Sequence, residues 1–377
     1  MKIVHAKAEA YRIAPSVPWE DATHKVSGIE WIVVIVTADN GCKGTGISYT
    51  VGIGGTAIHR LLEDYVLPML VGKDPRDTEA VWTHLFQQLH RCGSGVTSLA
   101  LAAVDIAIWD LLGVYYRQPL YKLLGGARSR VQTYASGIDF HLDLPALLDR
   151  IDEYISEGYQ HVKIKIGKHC PEEDWERVVK VKEKLGPGRR LYVDANQKWD
   201  AAEAIQRCRH LDRFDLGWLE EPAFSDDVDG HCRLRQSMTT PLAIGESLYN
   251  KYQFLEFLKR DAVDIVQADV ARVGGITEWM KIAHLADAWR KPVAPHFLME
   301  LSVHLLCSVP NGFILENVKG GSLSDMGVLL QPITVVDGYC TPSDEPGHGI
   351  RLDFDKLQPY KIDSGKLQNM DLTSSKL

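Results

Sequence analysis

Ionisable residues stand at the ends of short apolar, strand-like segments throughout the second half of this 377-residue chain. The series has eight members: Lys163, Lys165, Asp194, Glu220, Glu246, Asp269, His296 and Glu316. Charged side chains are rarely buried unless they are paired or bind a metal ion, so a carboxylate at the end of a buried strand calls for an explanation. The spacing is 26 residues from Asp194 to Glu220, 26 from Glu220 to Glu246 and 27 from Asp269 to His296. Each step has room for one strand, one helix and two short loops.

The same part of the chain predicts an α/β barrel. From about Val131 onward, strand-like segments alternate with amphipathic helical segments, and there are eight strand candidates. Parallel strands need such helical crossovers, and in a closed barrel the carboxyl ends of all strands meet at one mouth, where active sites of this fold lie. An open doubly wound sheet is the alternative, but it needs a glycine-rich phosphate turn after its first strand, and the sequence has none there.

Residues 1–125 follow a different pattern. Strand-like segments at 1–13 and 30–41, with a turn at Asn40-Gly41 and a possible extension at 42–51, precede several helical segments, which is typical of a small antiparallel sheet backed by helices. We therefore expect an α+β domain at 1–125, the barrel at 126–335 and a C-terminal segment at 336–377 that returns to the first domain. The final polar stretch, 363–377, is predicted to fray.

Three carboxylates of the series form a candidate metal site. Asp194, Glu220 and Glu246 follow consecutive strands, so we expect them to be neighbours. Hard oxygen ligands without a cysteine favour Mg²⁺, with Mn²⁺ possible; the alternative is three separately solvated carboxylates. Glu221 is a rival ligand, but neighbouring residues on a strand point to opposite faces. The regular spacing favours Glu220.

The two lysines of the series are candidate catalytic groups. Lys163 and Lys165 are two residues apart, so they share one face of a strand. A lysine that acts as a base must be neutral, and we expect the second ammonium and the divalent cation to lower its pKa. The alternative is an edge strand with both lysines in solvent, where they would prevent edge-to-edge association.

The last three members complete a constellation for proton transfer. A carboxylate such as Asp269 that accepts from one nitrogen of His296 fixes the tautomer and makes the other nitrogen a better base. Glu316 would face the substrate as a hydrogen-bonding electrophile. Two bases beside a divalent cation indicate removal of the proton α to a carboxylate, because the cation offsets the charge that develops.

Composition limits the other classes of function. The formal net charge is −8 and no block of basic residues occurs, so we expect no nucleic-acid partner. We find no run near the roughly 18 apolar residues that a membrane helix needs, and expect no membrane span. Seven scattered cysteines without a C-x-x-C pair are typical of reduced thiols, and predict a cytoplasmic protein.

On the basis of these eight ionisable residues, the chain resembles the enolase superfamily, in its mandelate racemase subgroup. The matching positions are the eight members of the series. The resemblance implies a modified TIM barrel of the (β/α)7β type, closed by an N-terminal α+β capping domain. It also implies Mg²⁺ at Asp194, Glu220 and Glu246, a Lys or His base, and a homo-oligomer.

Four segments are similar to acid-sugar dehydratases, especially those acting on talarate and galactarate: GISYTVGIGG, VDANQKWD, ADVARVGGI and APHFLMEL. This likeness implies that Asn196 contacts the substrate and that the loops at 19–29 and 48–55 set specificity. We expect a Mg²⁺-dependent hydro-lyase that converts an aldaric or aldonic acid to a 2-keto-3-deoxy acid. The alternatives are a racemase or epimerase of a hydroxy acid, a class-I aldolase with a Schiff base on Lys165, and a non-catalytic binding protein.

Overall fold

The N-terminal unit is built on an antiparallel sheet. A computed structural model describes residues 1–362, so the predicted fraying of 363–377 lies outside the described residues. The strands of the unit are β1 (Ile3–Ile13), β2 (Trp19–Glu20), β3 (Lys25–Val26), β4 (Ile29–Ala38) and β5 (Lys43–Val51). The main sheet has the order β1-β4-β5, while β2 and β3 form a separate short hairpin. The predicted turn lies between β4 and β5, where Gly41 adopts a φ of +83°.

Helices cover one face of this sheet: α1 (Gly55–Leu61), α2 (Leu67–Leu70), α3 (Thr78–Leu89), α4 (Val96–Tyr116) and α5 (Leu120–Leu123). By length and composition, the 21-residue α4 could cross a membrane, so the prediction that no segment has this character is wrong. The helix is apolar on every side because it is the core of the unit: 78% of its apolar stretch is buried against β4, β5 and the neighbouring helices.

The second unit is a closed barrel of parallel strands. Its regular strands are β6 (Val131–Ser136), β7 (His161–Lys165), β8 (Arg190–Asp194), β9 (Leu219–Glu220), β10 (Leu242–Ile244), β11 (Ile265–Val266) and β12 (Leu315–Val318). The seventh position in the barrel is reduced to Val293, which bridges Val266 on one side and Gly312 on the other. Parallel pairing of β12 with β6 closes the barrel.

Seven helices connect the eight strand positions: α6 (Leu144–Ser156), α7 (Pro171–Leu185), α8 (Ala201–Leu211), α9 (Val228–Ser237), α10 (Lys251–Lys259), α11 (Ile276–Ala288) and α12 (Met299–Ser308). Strand positions and helices alternate as in a (β/α)7β barrel, so the predicted fold is confirmed. Alternation along β7 sends Val162 and Ile164 outward to pack under the helices, which leaves Lys163 and Lys165 inside.

Aromatic rings fill the barrel interior below its mouth. Tyr192 and Trp218 stack with their ring centroids 3.6 Å apart, and Tyr134 lies edge-on at 5.2 Å from Trp218. All three side chains are almost fully buried. The polar side chains of the barrel interior therefore gather above this plug, at the carboxyl ends of the strands.

The C-terminal segment contacts both units. It contains β13 (Val335–Val336), β14 (Tyr339–Cys340) and the short helix α13 (Phe354–Leu357). The β14 strand pairs antiparallel with β6 of the barrel, whereas Lys361 bridges Tyr11 on β1. The domain bounds drawn from the sequence stay a prediction.

Candidate active site

The eight ionisable residues meet at the mouth of the barrel. Each stands on a strand or within three residues of its end: Lys163 and Lys165 on β7, Asp194 on β8, Glu220 on β9, Glu246 after β10, Asp269 after β11, His296 after Val293 and Glu316 on β12. Seven of them are buried, and the side chain of His296 is 17% exposed. Because the carboxyl ends of the strands converge, their regular spacing in sequence becomes a cluster in space.

Three of the carboxylates form one compact group. One oxygen from each of Asp194, Glu220 and Glu246 lies within 4.8 Å of the other two, and we call this group the carboxylate triad. Buried carboxylates at such distances repel one another unless a cation lies between them. Oxygen ligands are those that hard divalent cations prefer. The type and spacing of these side chains therefore fit a divalent metal ion.

Burial and the repulsion between carboxylates both act on the pKa of Glu220. Burial raises the pKa of Glu220 to about 8, and the nearby carboxylates add to the effect while Lys163 opposes it. Burial acts in the same direction on Asp194, but the ammonium groups of Lys165 and Lys163 outweigh it and lower the pKa of that carboxyl. A divalent cation at this point would favour the ionised form of Glu220.

Glu220 and its neighbour Glu221 have different surroundings. Glu220 belongs to the triad, as the spacing predicted, whereas Glu221 Oε2 accepts a hydrogen bond from Gln197 Nε2 at 2.7 Å and lies 3.4 Å from Ser247 Oγ. Both glutamates are nevertheless buried at the mouth. The alternation rule does not place Glu221 because β9 ends at Glu220 and Glu221 takes a positive φ of +34°.

Lys163 and Lys165 share the inner face of β7 but contact different carboxylates. Lys163 Nζ bonds Glu220 and lies 2.8 Å from Glu316 Oε1, whereas Lys165 Nζ donates to Asp194 Oδ2 at 2.5 Å. Burial disfavours both ammonium groups, but the surrounding carboxylates outweigh burial and raise the pKa of each lysine. The expected lowering is thus wrong for these side chains by themselves, because several carboxylates outweigh one neighbouring ammonium.

His296 and Asp269 form the predicted pair. His296 Nδ1 lies 2.7 Å from Asp269 Oδ2, and His296 Nε2 lies 3.6 Å from Glu246 Oε2. Burial lowers the pKa of His296, but Glu246 and Asp269 outweigh burial and raise it to about 9. Burial alone would raise the pKa of Asp269, but the hydrogen-bonded imidazole of His296 outweighs burial and lowers it. The pair leaves Nε2 facing the triad.

Glu316 accepts hydrogen bonds on both oxygens. Its Oε1 is 2.8 Å from Lys163 Nζ, and its Oε2 accepts from the backbone N–H of Phe297 at 2.9 Å. Burial raises the pKa of Glu316, but Lys163 and His296 outweigh burial and hold it well below its usual range. A hydrogen-bonding electrophile needs a proton to donate, so the role expected for Glu316 stays a prediction.

Asn196 lies beside the triad. Its backbone N–H donates to Asp194 Oδ1 at 2.8 Å, and its Nδ2 lies 3.3 Å from Asp194 Oδ2. The buried Oδ1 of Asn196 has no hydrogen-bond partner within residues 1–362. An unpaired acceptor at this place is suited to a substrate hydroxyl group, and the predicted contact with substrate stays a prediction.

Two contacts at the site were not predicted from the sequence. Gln267 donates to Glu220 Oε2 at 2.6 Å, and Tyr49, on β5 of the N-terminal unit, donates to Asp269 Oδ2. Gln267 could have been found, because it lies two residues before Asp269 and a strand repeats its direction every second residue. Tyr49 lies 220 residues from its partner, and no local pattern signals such a contact.

Comparisons with protein families cover both units. Residues 6–125 match the family model described as "Mandelate racemase / muconate lactonizing enzyme, N-terminal domain", and residues 146–356 match "Enolase C-terminal domain-like". The chain belongs to the enolase superfamily. The resemblance drawn from the eight residues is thereby confirmed.

Relatives within the enolase superfamily are similar over most of their length. A 3,6-anhydro-alpha-L-galactonate cycloisomerase of Streptomyces coelicolor is 36% identical over 357 residues, covering 94% of this chain and 98% of the relative. L-talarate/galactarate dehydratase of Salmonella typhimurium is 36% identical over 323 residues, covering 85% of this chain and 80% of the relative. The crystal structure of a racemase from Streptomyces coelicolor with bound magnesium matches with a TM-score of 0.92 and 34% identity. The match covers 96% of this chain and 100% of the racemase.

These relatives define the general kind of activity. They are named as enzymes, and the predicted enzymatic character is confirmed. The enolase-superfamily relatives include dehydratases and cycloisomerases of acid sugars, so the present chain is an enzyme of that general kind.

Proposed function

We propose that the chain is a Mg²⁺-dependent dehydratase of an aldaric or aldonic acid. Three lines support the proposal: the carboxylate triad, the two basic side chains beside it, and the likeness to L-talarate/galactarate dehydratase. The reaction would remove the proton α to a carboxylate and expel the β-hydroxyl. Its product would be a 2-keto-3-deoxy acid.

Asp194, Glu220 and Glu246 would hold the magnesium ion. A related structure contains magnesium, and the triad here has the hard oxygen donors that Mg²⁺ prefers. When bound, Mg²⁺ supplies positive charge that favours loss of the weakly acidic proton α to a carboxylate. Lys163 lies beside the triad, and its ammonium can donate to an oxygen of the substrate carboxylate.

The placement of the two bases carries the proposal. Lys165 Nζ contacts Asp194 at one end of the triad, and His296 Nε2 faces Glu246 at the other. A substrate carboxylate held at the triad would therefore present its α-carbon between two groups that can exchange a proton. Which of them removes the proton depends on the configuration of the α-carbon.

Dehydration then needs a proton for the leaving hydroxyl group and a final tautomerisation. As the base takes the α-proton, the electrons of that C–H bond form a C=C bond and the β C–O bond breaks. A conjugate acid, either protonated His296 or protonated Lys165, donates the proton with which the hydroxyl leaves as water. The enol that remains becomes the 2-keto-3-deoxy acid by tautomerisation.

A screen of sugar monoacids and diacids with Mg²⁺, assayed for 2-keto acid, tests the function. We expect turnover of at least one acid and its loss on addition of EDTA. Lys165→Ala and His296→Asn should each lower the rate for that acid by about 10²-fold or more. Lys180→Ala and His210→Asn are matched controls on the outer helices α7 and α8. Full activity in both mouth variants would refute the site assignment.

Racemisation or epimerisation is the second candidate. It begins with the same proton loss and ends with protonation on the opposite face, for which two bases are also required. The presence of both Lys165 and His296, together with the similar structure named as a racemase, favours this candidate. Deuterium exchange at the α-carbon without 2-keto acid would identify it and contradict the dehydratase proposal.

A further inference from the structure

Tyr49 brings a hydroxyl group from the N-terminal unit to the carboxylate of Asp269. The hydroxyl donates to Asp269 Oδ2 and lies 3.3 Å from His296 Nδ1, on the same side of the carboxylate as the imidazole. Tyr49 is 2% exposed and Asp269 is fully buried, so water does not compete for this contact. The sequence places Tyr49 in the segment 48–55 that is expected to set specificity, but it predicts no contact of Tyr49 with Asp269.

The Asp269 carboxylate is fully occupied by donors. Its Oδ1 accepts from the backbone N–H groups of Ala271 at 2.8 Å and Arg272 at 3.1 Å. Its Oδ2 accepts from Tyr49 and from His296. The backbone donors hold one oxygen, and the Tyr49 hydroxyl therefore determines how the other oxygen is presented to the imidazole.

The Tyr49 ring is itself fixed from both units. Its centroid lies 4.5 Å from that of Phe297, the residue after His296, and 5.9 Å from that of Trp31 on β4. Trp31 in turn stacks on Phe297 at 5.9 Å. The hydroxyl therefore cannot follow Asp269 if the carboxylate turns, and it acts as a fixed point rather than as an adaptable partner.

We propose that Tyr49 is a positioning residue for His296, which holds Asp269 Oδ2 so that Nδ1–H of the imidazole points to it and Nε2 faces the substrate. The inference rests on the proposed function in one respect, namely that His296 serves as one of two bases. Lys165 has its own partner in Asp194, 2.5 Å away, and does not contact Tyr49. Loss of the Tyr49 hydroxyl should thus impair one base and spare the other.

Tyr49→Phe tests this asymmetry. On the Mg²⁺-loaded enzyme, we expect solvent deuterium incorporation at the α-carbon to fall about 10- to 100-fold for the acid whose proton faces His296, a size typical for loss of an outer hydrogen-bond partner. Exchange with the epimer that faces Lys165 should stay within about twofold of the wild type. Equal losses on both faces, or no loss on either, would overturn the inference.

Tyr11→Phe is the matched control. Tyr11 is also a buried tyrosine of the N-terminal sheet whose hydroxyl donates to a carboxylate, that of Glu9, and within residues 1–362 this hydroxyl forms no hydrogen bond with the barrel mouth. The control should leave exchange on both faces unchanged. A loss in Tyr11→Phe equal to that in Tyr49→Phe would show a general effect on the sheet and would contradict positioning.

A measurement without substrate separates this inference from the proposed function. Histidine-selective ¹⁵N spectra of the Mg²⁺-loaded protein at one pH, assigned with His296→Asn, report both ring nitrogens of His296. We expect their chemical shifts to move in Tyr49→Phe and not in Tyr11→Phe. Unmoved shifts would overturn the inference even if the chain dehydrates sugar acids. Moved shifts without turnover of any acid would support positioning and refute the proposed function.

Discussion

Asp105, in the longest helix of the N-terminal unit, caps the start of a barrel helix at Thr277. Its Oδ2 accepts from the backbone N–H of Thr277 at 2.9 Å, and its Oδ1 accepts from Thr277 Oγ1 at 2.6 Å. Trp109 donates to the same hydroxyl at 2.9 Å. The N-terminal unit thus contacts both ends of the loop between Asp269 and Thr277, through Tyr49 at one end and through α4 at the other.

The buried Asp105 predicts a pH-dependent stability. Burial raises the pKa of Asp105 to about 7, and its hydrogen bonds with Thr277 oppose the shift only in part. The folded protein therefore binds one proton more than the unfolded chain between about pH 4 and pH 7, and the free energy of unfolding falls as pH rises through this range. Asp105 alone lowers the free energy of unfolding by about 4 kcal/mol at most over this range.

Asp105→Asn removes this proton uptake. Denaturant unfolding at several pH values between 4 and 8 should show a flatter dependence in the variant than in the wild type. The two proteins should differ least near pH 4, where Asp105 is protonated in the folded state, and the variant should gain relative stability toward pH 8. Parallel curves for the two proteins would contradict the prediction.

Magnesium binding should distinguish Glu220 from its neighbour. Glu220 is one of the three charged members of the triad, whereas Glu221 is bonded to Gln197 outside it. Glu220→Gln removes one charge from the site and should weaken Mg²⁺ binding by about 100-fold, measured by titration calorimetry. Glu221→Gln should raise the Kd by about 10-fold at most, the lower end of the range for a residue outside the ligand set. The reverse ranking would identify Glu221 as the ligand.

The catalytic series was predictable because the barrel imposes a simple geometry. When strands run parallel and each is followed by a helix, their carboxyl ends meet in the barrel. Residues such as Asp194 and Glu246 therefore become neighbours regardless of the length or conformation of the loops. The argument holds even where the strand is short. At the seventh position only Val293 bridges its neighbours, yet His296 still reaches the mouth because Ala294 N–H bonds Val266.

Contacts that depend on tertiary geometry were beyond this kind of prediction. The partnership of Tyr49 with Asp269 joins two units and needs the packing of both. The raised pKa of Lys165 depends on distances to several carboxylates, while the sequence indicates only which charges are nearby. The alternation rule does not apply to Glu221 because β9 ends before it and its own backbone adopts a positive φ.

The close approach of β5 to α4 predicts a strong effect of a single methyl group. A Cβ atom added to Gly46 would lie 1.8 Å from the carbonyl oxygen of Ala103 and 2.5 Å from the backbone nitrogen of Ala107, both in α4. These are backbone atoms that no side-chain rotation can move, so strand and helix must separate. We expect Gly46→Ala to lower the free energy of unfolding by about 3 kcal/mol or more, measured by chemical denaturation.

Thr45→Ala is the matched control for this prediction. Thr45 is the neighbour of Gly46 on β5, its half-buried side chain points to the other face of the strand, and its backbone N–H keeps its bond to Asp110 Oδ2 at 2.8 Å. The control should cost less than about 1 kcal/mol. Because α4 carries Asp105, Gly46→Ala should also reduce the pH dependence that Asp105 confers, whereas Thr45→Ala should leave it intact. Equal stability of the two variants would show that the helix can move away from the sheet at little cost.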